Sequence, residues 1–282
     1  MGVISKGLSC TVVAGIFCLA AFATDTREFR YNVGPNSSVT VTNEFGPVSI
    51  KGVPGRQITI TARPHSNKVE VDASQSGDRI DATSHLLQTG SEADDAVDYE
   101  ISLPPDANIT VRAPSGPITA QHLWGDVVVE GDAAKIEVRD IRNGHVHART
   151  VTGPITLTNI SNGSVEITSV NGDVQLTNVD GRKVTVNTTK GNIRYAGDFG
   201  SGGTYMLVNY SGDIEVTMPP TASVDLSARS VNGKVEQDFP LQQKMHPSFT
   251  VDSSRSFAGT SNSASSSVRL RSFSGRIRVK KQ

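Results

Sequence analysis

The sequence predicts an all-β fold: a single β-solenoid with two short strands per turn of 18–21 residues and two facing parallel sheets. Three observations carry that prediction. Small residues recur on a fixed grid, each opens a stretch of strict apolar and polar alternation, and no helical period is sustained beyond the N-terminal apolar run.

The grid has two interleaved classes of corner. Gly116, Ala134, Gly153, Gly172, Gly191, Gly212 and Gly233 form the first, and Gly125, Gly144, Gly163, Arg182, Gly203 and Ala222 the second. The strands that follow read GPITL, GDVQL, GNIRY and GDIEV in the first class, and GDVVV, GSVEI and RKVTV in the second. Alternation over four or five residues with β-branched side chains is a strand signal. Stacked turns set each strand beside its copy one turn later, at about 4.8 Å. Ile155, Leu157, Val174, Leu176, Ile193 and Tyr195 then face Val165, Ile167, Val184 and Val186 across a thin core. One turn cannot bury its own apolar face, so the unit must repeat.

The same pattern reaches both ends of the chain. Val39 and Val41 precede Gly46 at the offsets that Val268 and Leu270 keep to Gly275, and GRIRV follows the latter. Taken in chain order, the turn at Gly233 stacks on the turn at Gly212, and the last strands are the open edge of the stack. The expected organisation is a signal peptide at 1–23, a lead-in strand at 24–37, and a solenoid domain at 38–282. Irregular insertions interrupt that domain at about 63–105 and 240–267.

The N-terminus predicts export. Lys6 precedes an apolar stretch from Leu8 to Ala20, and Ala21-Phe22-Ala23 has the small-x-small form of a cleavage site, placing cleavage after Ala23. Cys10 and Cys18 leave with the signal, so the product has no disulfide and no thiol chemistry. No later apolar stretch is long enough to span a membrane. The expected location is therefore secreted or periplasmic. A formal charge of -1 gives no field that would select nucleic acid, and none is expected as a partner.

The runs YEISLPPDANITVRAPSGPITA, TVTGPITLTNISNGSVEITSVNGDVQL and NYSGDIEV resemble the bacterial putative-adhesin, or toastrack, family of domains of unknown function. That family's pattern is a strand ending in Leu-Pro or Val-Pro, a short hinge, and repeated V-S-G-D-I-x-V turns. The resemblance spans roughly Ser38 to Val279. It implies a β-solenoid with an envelope or extracellular role, adhesion among those proposed, and it implies no site residues.

Catalytic signatures are missing: no G-x-S-x-G elbow, phosphate-binding loop or H-E-x-x-H motif occurs. Acids on the outward columns are mixed with bases and neutral residues. A non-catalytic, adhesin-like or envelope-associated module without a cofactor is expected, partnered by an envelope polymer or protein. The alternatives are a glycan-cleaving solenoid and a membrane-surface module.

Two clusters remain as candidate sites. His145 and His147 alternate with Val146 and share one face, and the 19-residue spacing sets Asp126 beside His145 and Glu166 beside His147. Two imidazoles and two carboxylates are a donor set for a borderline divalent metal. The plainer expectation, no metal, is a hydrated ladder of acid-histidine pairs. Near the C-terminus Arg269, Arg271, Arg276, Arg278, Lys280 and Lys281 occur without an intervening acid, and could contact an anionic surface. The competing expectation is that they guard an open sheet edge against end-to-end pairing.

Overall fold

A computed structural model describes residues 26–244 and 254–282. The expected signal peptide with its two cysteines and a part of the 240–267 segment lie outside the described residues.

Twenty-five strands and no helix occur among the described residues. The N-terminal part supplies β1 (Arg27–Asn32), β2 (Ser38–Thr42), β3 (Val48–Gly52), β4 (Gln57–Pro64), β5 (Val69–Ser76), β6 (Arg79–Leu86) and β7 (Val97–Leu103). The regular middle runs β8 (Asn108–Arg112), β9 (Ile118–Leu123), β10 (Val127–Glu130), β11 (Ile136–Arg142), β12 (His145–Thr150) and β13 (Ile155–Ser161). It continues as β14 (Ser164–Ser169), β15 (Val174–Val179), β16 (Lys183–Thr188), β17 (Ile193–Ala196), β18 (Thr204–Asn209) and β19 (Ile214–Met218). The C-terminal part is β20 (Val224–Ser230), β21 (Val235–Gln237), β22 (Gln242–Gln243), β23 (Ser256–Thr260), β24 (Ser266–Ser272) and β25 (Ile277–Lys281).

From β8 to β19, even-numbered strands stack in parallel in one sheet and odd-numbered strands in the other, as the glycine grid predicts. The register is also the predicted one: Val165 pairs with Val184, and Ile155 with Val174. The predicted core residues Val165, Ile167, Val174, Leu176, Val184 and Val186 are all buried, while Glu166 and Gln175 are exposed. Thr185, expected on the outer face, is half-buried.

The ends depart from chain order. β24 is hydrogen-bonded between β18 and β20, and β25 lies between β19 and β21. The final turn is thus threaded one turn inside the stack. The expectation that the last strands form an open edge is overturned, and so is the stacking of Gly233 on Gly212. Gly275 stands between them, with its Cα against the Gly212 carbonyl and the Gly275 carbonyl against Gly233. The N-terminal end does the same, because β2 and β3 sit inside the turn made by β6 and β7. A strand paired on both sides satisfies both rows of backbone donors and acceptors, where an end strand leaves one row exposed. The segment 63–105, expected as an irregular insertion, therefore supplies most of the outermost turn. Antiparallel strands cover both ends: β4 lies on β7, β5 on β6, and β23 on β20.

The corners show why glycine recurs. Gly116 and Gly212 have positive φ angles of 101° and 138°. Gly153, Gly172 and Gly191 do not, and there a Cβ would instead strike the backbone carbonyl of the corner one turn below. Close stacking of corner on corner, more than bending of the chain, excludes a side chain at these three positions.

Each of these corners is also tied by a buried hydroxyl. The Gly153 N–H donates to Thr150 Oγ1 at 3.0 Å, Gly172 N–H to Ser169 Oγ at 2.9 Å, and Gly191 N–H to Thr188 Oγ1 at 2.8 Å. Ser230 and Ser272 serve Gly233 and Gly275 in the same way. The few aromatics pack where the strands shorten. Tyr195 stacks on Phe199 at 4.7 Å, and Tyr205 meets Phe199 edge-on at 4.6 Å. Burial pushes the Tyr205 phenol up to about 12 and raises Tyr195 as well, so both act as neutral donors: Tyr205 to the Gly181 carbonyl and Tyr195 to that of Val179.

Candidate functional site

The corner hydroxyl has a consequence for the surface. Because Thr150, Ser169, Thr188, Asn209, Ser272 and Ser230 turn inward to bond their glycine corner, the residue that follows each must point out. Those residues are Val151, Val170, Thr189, Tyr210, Phe273 and Val231, and the order of the turns stacks them in that sequence along one corner. All six are exposed, Tyr210 by 56%. The Tyr210 and Phe273 rings lie parallel, 4.6 Å apart and 5° from coplanar. The column lines an open groove of about 410 Å³ through Val170, Thr189, Tyr210, Phe273 and Val231, together with Thr168, Asn187 and Arg271. A row of mostly apolar exposed side chains along one corner is a candidate contact surface.

This column was missed in the sequence. The signal is the repeated (Ser/Thr/Asn)-x-x-Gly of TVTG, SVNG, TTKG, NYSG and SFSG, in which the second residue is apolar or aromatic in all but one. Alternation ends at a corner, so a rule built on alternation assigns those positions to no face.

Three of the four candidate metal-binding residues come together. His145 pairs with Ser164 and His147 with Glu166 across β12 and β14, and one ligand atom from each of His145, His147 and Glu166 lies within 4.8 Å of the others. Asp126 is adjacent in register but is used elsewhere, because its Oδ1 accepts the backbone N–H of His145 at 2.9 Å.

The basic residues divide between the two sheets and do not form one edge. Arg276, Arg278 and Lys280 meet acids: Arg278 Nε and Arg276 Nε lie 3.2 and 3.6 Å from Glu236, and Lys280 Nζ lies 2.7 Å from Glu215. Lys281 is exposed at the end of β25. Arg269 and Arg271 face outward from β24 on the other sheet, Arg271 beside Arg229 of β20 and on the flank of the groove.

A further column runs along the sheet containing β9 to β15. His122, Asp140, Asn159 and Asn178 all have φ near +60°, a conformation that Asn and Asp tolerate better than most residues. Their side chains form a ladder, Asn159 Nδ2 donating to Asp140 Oδ1 at 2.9 Å and Asn178 Nδ2 to Asn159 Oδ1 at 3.3 Å.

Exposed Glu100 and half-buried Asp106 both have a lowered pKa. Hydrogen bonds from Arg63 hold down Glu100, and those from Arg56 hold down Asp106.

The Toastrack DUF4097 family profile matches residues 36–280. Among solved structures, a putative adhesin from Bacteroides fragilis is 10% identical over 92% of this chain and 98% of that one, with a TM-score of 0.47. A putative adhesin from Parabacteroides merdae is 10% identical over 91% and 96%, with a TM-score of 0.43. A putative cell adhesion protein from Clostridium sporogenes is 13% identical over 91% and 100%, with a TM-score of 0.28. No curated protein matches the sequence.

Proposed function

This chain belongs to the Toastrack DUF4097 family, and from that premise we propose that it is an exported, non-catalytic, adhesin-like module that binds an extended envelope polysaccharide along one corner of its solenoid. The column from Val151 to Val231 carries the proposal. It presents a mostly apolar strip parallel to the stacking axis, with a stacked aromatic pair within it. Sugar rings have apolar C–H faces and hydroxyl edges. Tyr210 and Phe273, which cover one face of each other, offer apolar ring edges to the C–H groups, while Thr168, Asn187 and Arg271 offer hydrogen bonds to the hydroxyls.

Export rests on Lys6, the apolar stretch to Ala20 and the Ala21-Phe22-Ala23 site. N-terminal sequencing of the exported product should begin at Thr24.

The test is co-sedimentation of the untagged chain with purified insoluble envelope polysaccharide, followed by measurement of the polymer's length. Saturable binding with unchanged polymer length is expected. Shortening of the polymer would make the protein an enzyme, and retention only by envelope protein would replace the ligand class.

A further inference from the structure

His145 and His147 occupy positions i and i+2 of β12, so both imidazoles leave the same face of the sheet. Glu166 stands beside His147 on β14, one turn along the stack. His147 Nδ1 lies 3.8 Å from Glu166 Oε2, and the three ligand atoms fall within 4.8 Å of one another. Donors held at about 2.1 Å from a tetrahedral ion are separated by roughly 3.4 Å. The histidine and carboxylate pair is thus close to that spacing already. The three side chains all leave the outer face of the sheet, where rotation about their side-chain bonds can bring them closer.

The surroundings favour metal over a plain ion pair. Ser164 Oγ lies 2.5 Å from His145 Nδ1. With Nδ1–H donating to that hydroxyl, Nε2 keeps its lone pair for a ligand bond, the outer-shell arrangement that fixes the tautomer of metal-binding histidines. The two rings lie 24° from coplanar with centroids 6.5 Å apart, so both can turn toward one point. The His147 side chain is 28% exposed and that of Glu166 51%, which leaves one side of the cluster open to solvent.

We propose that His145, His147 and Glu166 form a binding site for a single divalent ion of borderline softness, with Zn²⁺ the best match to two imidazole nitrogens and one carboxylate oxygen. A solvent-facing position completes the tetrahedron. The ion ties β12 to β14 across the turn. Asp126 is not among the ligand atoms gathered there, and its Oδ1 accepts the His145 backbone N–H. The pairs His65–Asp98, His85–Asp72 and His122–Asp140 each bring one imidazole to one carboxylate, and among the described residues only the β12–β14 cluster gathers three donor side chains. The site is separate from the corner groove and stands whether or not the chain binds a polymer.

Isothermal titration of the untagged protein with ZnCl₂ in a non-coordinating buffer tests the assignment. One equivalent should bind. His147→Asn and Glu166→Gln, which alter outward side chains only, should each weaken binding by at least about tenfold, since losing even an outer-shell partner typically costs 10–100-fold. His85→Gln should leave binding unchanged, and X-ray absorption of the loaded protein should show two imidazole ligands. Absence of saturable binding at millimolar zinc, undiminished affinity in both β12–β14 variants, or equal weakening by His85→Gln would each overturn the proposal.

Discussion

Ile214 pairs in register with Ile277 across β19 and β25, and Ile277 pairs on its other side with Val235 of β21. The strand that ends the chain is therefore an inner strand of its sheet. Its backbone bonds run to both sides: Ile277 N–H donates to the Lys234 carbonyl at 2.8 Å, and the Arg276 carbonyl at its start accepts from Ile214 N–H of β19 at 2.9 Å.

This placement sets hydrogen exchange. The amides of β25 should exchange more slowly than those of β21, the end strand of the sheet, because β25 is paired on both sides. If β25 were an end strand, its amides would exchange with the fraying termini.

A chain stopped at Ser274 should self-associate. Removing β25 leaves β19 and β21 with facing, unpaired rows of donors and acceptors, the template for pairing with another molecule. Sedimentation velocity should show oligomers where the full-length chain is monodisperse. A truncated chain that sediments like its parent would mean that β25 contributes little to closing the sheet.

The class of fold was legible in the sequence, and the order of its turns was not. Ile155, Val165 and Val174 follow from alternation alone, because a parallel solenoid repeats one local rule. Every turn carries nearly the same pattern, so GDIEV at Gly212 accepts GRIRV at Gly275 as readily as the turn at Gly233. Local pattern cannot rank those partners. The histidine cluster was legible because β12 and β14 are successive turns. The place of Asp126 was not, because register alone does not show that its carboxylate caps the His145 backbone N–H. The Tyr210–Phe273 stack depends on the threaded turn, which explains why the aromatic corner escaped notice.

Corner hydroxyls should matter more than surface polarity suggests. Ser169→Ala leaves the Gly172 N–H buried without its acceptor and should cost about 1–3 kcal/mol in urea unfolding. Ser169→Thr should be far milder, since Thr150 and Thr188 fill the same position in adjacent turns.

The thin core should be sensitive to voids. Ile167 is fully buried, and Ile167→Ala should cost about 2–4 kcal/mol, as large-to-small substitutions do where neighbours cannot collapse inward. Its neighbour Glu166 faces out, and Glu166→Ala should change stability by no more than about 0.5 kcal/mol in metal-free buffer.

The most direct measurement of the central claim is polysaccharide affinity of the double variant Tyr210→Ser, Phe273→Ser. Both rings are exposed, so their removal should leave the unfolding midpoint nearly unchanged. Aromatic anchors at a contact surface typically contribute about 2 kcal/mol or more on truncation. Co-sedimentation with purified envelope polysaccharide should therefore weaken by more than about tenfold at unchanged stability. A folded double variant that binds the polymer as tightly as its parent would contradict the account and remove the corner column as the binding surface.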